Sequence, residues 1–258
     1  MARDPVPEAE QGGPSRRHRR RSANRRDVVA IVLSVALGIA LLGLSVPRTI
    51  AAWYALAAQP VLEKLLIAKE PPSDAEFAHA IAGLDNANAW VPSARRLTDL
   101  AILETGQLLR LPRSDPKRAI LLASAEQHLV DGLVANPTDG YAWLNLAIVR
   151  EQAGLPPRQI AVALVQSLAM APNARPLWLP RASMLLVYWP SLQSDELLVM
   201  RAQLHTIWTV DKNLQLPLLQ VAARLGRVQT ISWGIGDDPP EQAELKKLRD
   251  TLAKLAPR

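Results

Sequence analysis

The stretch PTDGYAWLNLAIVREQAG, from Pro137 to Gly154, has an echo 35 residues later in PNARPLWLPRASMLLVYW, from Pro172 to Trp189. In each copy a Trp follows the Pro by six positions, Trp143 in the first and Trp178 in the second. The residues ahead of the prolines run in parallel as well. Ala125, Leu129, Gly132 and Leu133 precede Pro137, and Ile160, Leu164, Ser167 and Leu168 precede Pro172. A period of this size marks a supersecondary unit that cannot bury its apolar face alone and stacks on its neighbours.

The unit reads as a pair of helices. From Pro47 onward the chain is rich in Ala, Leu, Gln, Glu and Arg, all good helix formers. No segment shows the sustained alternation of apolar residues that a half-buried strand requires. Prolines punctuate: Asp115-Pro116 and Leu155-Pro156-Pro157 stand where helices begin, with Ser114 or Asp115 as the N-cap in the first case. Gly154 and Gly226 stand where helices end. The sequence therefore predicts an all-α outer domain over residues 47–258. Further helices are expected at Thr49–Lys69, Asp74–Leu84, Ser194–Val210 and Leu214–Leu225, with a capping helix at Glu241–Leu255.

The pattern resembles the tetratricopeptide repeat, a helix–turn–helix unit of about 34 residues. The family places an aromatic, a Leu and a small residue early in its first helix, matched by Trp143, Leu146 and Ala147. It ends the second helix with a Pro, matched by Pro172. The match covers residues 116–188. Arg150 replaces the family's usual Tyr, the Ile160 region carries a one-residue insertion, and Pro180 and Tyr188-Trp189-Pro190 depart from the pattern. The resemblance implies a solenoid whose concave face, built from first helices, receives peptides or partner helices. In this register Tyr141, Asn145, Ile148, Glu151 and Gln152 point into that groove, with Asn145 at the family's frequent peptide-binding Asn. Tyr188 and Trp189 are a second candidate, as exposed loop aromatics.

A different segment fixes the expected compartment. Val28–Val46, VVAIVLSVALGIALLGLSV, contains no charged residue and follows Arg16, Arg17, Arg19, Arg20, Arg21, Arg25 and Arg26. As a helix it spans roughly 28 Å, the thickness of a bilayer's hydrocarbon core. Clustered arginines resist translocation, which predicts a single-pass protein with a cytoplasmic N-terminus and residues 47–258 in the periplasm. A cleaved signal peptide is the alternative, but no Ala-x-Ala site follows the apolar run at the distance cleavage requires. Trp53 and Tyr54 suit the headgroup level, and residues 1–27 read as a disordered basic tail.

Composition narrows the chemistry. The net charge is +6, of which residues 1–27 supply +4, so the excess serves topology rather than nucleic-acid binding. With no cysteine, thiolate catalysis and zinc–sulfur sites are excluded. His18, His79, His128 and His205 form no metal-spaced pair. His79 and His128 read as partly buried helix residues. No nucleophile elbow or phosphate-cradling glycine loop is present. The sequence predicts no enzyme, no metal and no cofactor.

The layout also resembles small membrane-anchored tetratricopeptide proteins of exopolysaccharide biosynthesis and export. Leu198, Arg201, Gln203, Leu204 and Trp208 carry that likeness. It implies a scaffold or adaptor in the bacterial inner membrane that binds other envelope proteins or peptides. An assembly factor for cytochrome maturation or cell division is one alternative. An envelope enzyme acting on glycans is another.

Overall fold

The computed structural model describes residues 16–67 and 71–255, so the expectation for residues 1–15 lies outside it. Every regular element among the described residues is helical. The chain divides between Thr49 and Ile50 into two compact units.

The first unit is built on α1 (Arg16–Ala55), which carries the apolar run and is long and apolar enough to cross a membrane. Residues 16–27 lie within this helix. Pro47 does not end it, although its missing N–H leaves the Gly43 carbonyl without a helical donor. Side chains bond the carbonyls around this gap: the Ser45 hydroxyl donates to Leu41 O, the Arg48 guanidinium to Leu44 O and the Thr49 hydroxyl to Ser45 O. Such support lets a helix run through a proline in an apolar setting.

In the second unit, a short 3₁₀ turn (Leu56–Ala58) leads to α2 (Gln59–Ile67). The expected single helix Thr49–Lys69 is therefore broken at this turn. There follow α3 (Asp74–Trp90), α4 (Ala94–Arg110), α5 (Lys117–Ala135), α6 (Gly140–Gln152) and α7 (Pro157–Met170). Beyond them lie α8 (Arg175–Val187), α9 (Ser194–Val210), α10 (Lys212–Arg224), α11 (Val228–Ile235) and α12 (Pro239–Leu255). Just ahead of α5, Asp115 accepts from the Lys117 amide, and Pro157 is the first residue of α7 as expected. Unforeseen, Ser73 with Glu76 closes a capping box on α3.

Gly154 and Gly226, with φ of 68° and 67°, end α6 and α10 in the same way. In each, the amide of the following residue returns five positions, Leu155 to Arg150 O and Arg227 to Ala222 O. This is a Schellman close, which needs the left-handed backbone that glycine adopts without cost.

Short connections turn successive helices back on one another. Gly132, in the last turn of α5, faces Ala94 and Leu97 in the first turn of α4. Arg118 at the start of α5 donates to Leu108 O and Leu111 O at the end of α4. The even-numbered helices also touch in series, α2 to α4, α4 to α6, α6 to α8, α8 to α10 and α10 to α12. One apolar core runs from α4 to α12 and a smaller one joins the 3₁₀ turn to α4.

Candidate functional site

The groove residues expected from the sequence all lie on α6, and the helix explains their arrangement. Asp139 starts it, accepting from the amides of Tyr141 and Ala142 at 2.9 and 3.1 Å. Ala142, Leu144, Leu146, Ala147 and Val149 are buried. Tyr141, Asn145, Ile148 and Gln152 fall at helical spacing on another face, so they form one stripe.

That stripe divides into two kinds of residue. Tyr141 is exposed and Asn145 half-buried, its amide bonded at 2.9 Å to Tyr141 O, which leaves the side-chain carbonyl free. Ile148 packs partly on the core. Glu151 and Gln152 depart from the picture of free polar groups. Glu151 accepts from the Tyr188 hydroxyl at 2.9 Å, and Gln152 accepts from Arg118 at 3.3 Å. They brace α6 against α8 and α5 respectively. Burial, then the bond to Glu151, pushes the Tyr188 hydroxyl up to about 12. Arg150 pairs with Glu126 at 3.1 Å and so ties α6 to α5.

Tyr188 and Trp189 are not exposed aromatics. Both are half-buried and packed on the core. Trp189 meets Trp233 edge-on at 5.1 Å, and Arg201 covers the Trp233 ring at 5.3 Å. Loop residues beside a proline signal exposure by sequence alone, whereas α11, whose Trp233 receives them, was not foreseen.

The repeated tryptophans behave alike. The Trp143 indole donates to Pro137 O at 2.9 Å and the Trp178 indole to Pro172 O at 2.9 Å. Each bond ties the first turn of a helix to the carbonyl of the proline that precedes it.

A buried arginine went unforeseen. Arg181 is fully buried, donating to Ser167 Oγ and to Ala171 O at 2.8 Å each. Ser167 in turn donates to Gly140 O. The third guanidinium nitrogen, Nη2, has no partner, and no carboxylate pairs with the side chain. Desolvation lowers its pKa to about 10. The sequence did hold a signal, because the 35-residue offset aligns Arg181 with Leu146 and puts a cation at an apolar position.

The histidines also differ among themselves. His79 is exposed, contrary to expectation. His128 is half-buried with Nδ1 3.0 Å from Glu104, a buried carboxylate that also accepts from Ser124. The bond to Glu104 raises the His128 pKa against the opposing effect of burial, with the charges of Glu104, Asp85 and Asp131 adding to the rise. His205 is exposed, 3.9 Å from Glu241. No group of three His, Cys, Asp or Glu side chains suited to a metal occurs among the described residues.

No family model matches the chain, and no curated protein or solved structure does so either.

Proposed function

We propose that this chain is a membrane-anchored adaptor of the bacterial inner membrane, with a tetratricopeptide-like solenoid in the periplasm that binds other envelope proteins or peptides. The paired indole bonds, Trp143 to Pro137 O and Trp178 to Pro172 O, carry the reading. They repeat one structural detail at the sequence period, as stacked copies of one unit do. The equal 13-residue lengths of α6, α8 and α10 support it, as do the matching closes at Gly154 and Gly226.

In this reading Tyr141, Asn145 and Ile148 form the contact surface, and Glu151, Gln152 and Arg118 hold its shape. The free Asn145 carbonyl suits a backbone N–H of an incoming segment. The pathway assigned is exopolysaccharide assembly, on the Leu198–Trp208 likeness alone. Deleting the gene and measuring surface polysaccharide beside haem-protein content tests it. Loss of polysaccharide with unchanged haem protein is expected. The reverse favours cytochrome maturation, and turnover of a glycan by the purified chain would replace the adaptor with an enzyme.

A further inference from the structure

A second part of the first-helix face lies on α8 and α10, where Ser183 and Val187 stand 35 residues after Ile148 and Gln152. The C-terminal halves of α8 and α10 leave a slot of about 240 Å³ between them, lined by Ser183, Met184, Val187, Val221, Arg224 and Leu225. Val187 and Leu225 are 45% and 40% exposed, although both are large and apolar. The slot's only charged lining residue, Arg224, makes no ion pair among the described residues. The two helices carry Arg175, Arg181, Lys212 and Arg224 and contain no Asp or Glu. An occupant should therefore offer a bulky apolar side chain beside a carboxylate.

The chain itself presents such a segment. The first turns of α9 display Leu198 at 63% and Val199 at 40% exposure, with exposed Asp195 one turn before them. The spacing puts the carboxylate and Leu198 on neighbouring positions of the helix surface. The backbone charges match as well. The slot lies at helix C-terminal ends, which are partially negative, and the segment is a helix N-terminus, which is partially positive.

We infer that the α8–α10 slot receives the Asp195–Val199 segment of a second copy of this chain, head to tail. The slot and the segment are different surfaces, so each copy keeps one of each free and the contact propagates along a row. Leu198 fills the slot against Met184, Val187, Val221 and Leu225, and Asp195 meets Arg224. Chains held in one membrane face each other at high effective concentration, which lets a contact of this small size matter. The slot continues the face that α6 begins in the proposed reading, but the inference rests on its own residues, and its test touches none of the α6 positions.

The absence of cysteine makes the test direct. Full-length chains bearing Val187→Cys and Leu198→Cys, with different tags, are co-expressed and oxidised with copper phenanthroline in detergent-free membranes. A mixed disulfide between the two variants is expected to exceed either homodimer. Arg224→Glu or Asp195→Arg alone should lower its yield about threefold, and the two together should restore it. Both residues are exposed, and an unchanged circular-dichroism melt verifies folding of each variant. Equal yield when Cys stands at exposed Gln127 instead of Leu198, indifference to the charge reversals, or a Val187–Val187 adduct in excess would each overturn the inference. So would an adduct only to a different protein.

Discussion

Gly140→Ala separates packing from helix propensity. In most helices the change stabilises by up to about 1 kcal/mol, because Ala loses less backbone entropy. Here a methyl on residue 140 would lie 2.5 Å from the Ala171 Cβ, 3.0 Å from Ser167 O and 3.1 Å from Arg181 Nη2. The nearest atom is fixed to backbone and cannot rotate away. Overpacking of this kind costs about 1–3 kcal/mol, and the upper half of that range applies where backbone must move. The shift also strains the Ser167–Gly140 hydrogen bond, worth about 1 kcal/mol. After the propensity gain, a net loss of about 2–3 kcal/mol is expected, or roughly 5–10 °C in Tm for a domain of this size. The assay is a circular-dichroism melt of the full chain in detergent. Ala171→Gly removes the closest clashing atom, so the double variant should recover more than half of the loss. A single variant as stable as the parent would refute the reasoning, and so would a double variant no better than the sum of its parts.

Replacing Trp178 with Ala should cost about 3–5 kcal/mol, since its ring is 2% exposed, and loss of the cooperative melt would register it. Tyr188→Phe removes the hydroxyl that holds Glu151 and should cost about 1 kcal/mol by the same melt, with no change in helix content. The His128–Glu104 contact gives a pH dependence of definite sign. The folded pKa of His128 is raised above 6.5, so its contribution is complete below the unfolded pKa and is lost as pH rises through the folded value. Tm followed from about pH 5.5 to about pH 9 should therefore fall more steeply in the parent than in His128→Gln, and parallel curves would contradict this. Because Glu151 and Gln152 are bonded braces, the triple change Asn145→Ala, Glu151→Ala, Gln152→Ala should lower Tm as well as weaken partner binding. Asn145→Ala alone, whose side-chain amide bonds within its own helix, should leave Tm unchanged.

The helical class and several boundaries could be read from the chain because caps and stops are local. Asp115, Pro157, Gly154 and Gly226 act within a few residues of themselves, and each stands where expected. Pro47 lies inside α1, although its missing N–H leaves the Gly43 carbonyl without a helical donor. The helices α4 and α11 were missed, the first although Pro92 and Pro112 bracket it and the second because eight residues carry little periodicity. The candidate site was half legible. Its stripe on α6 follows from helical spacing, but the roles of Glu151 and Gln152 depend on Tyr188 and Arg118, which lie 37 and 34 residues away. Tertiary pairing of that kind leaves no local pattern. Arg181 is the instructive exception, because its neighbours are distant and yet the repeat offset alone flags it as out of place.

The anchor's direction is decisive, since an adaptor for envelope partners must present residues 50–258 outside the cytoplasm. Alkaline phosphatase fused after Arg258 should be active in intact cells, and green fluorescent protein at the same point, exported unfolded, should be dark. Bright fluorescence with inactive phosphatase would place the helical domain in the cytoplasm and contradict the central claim.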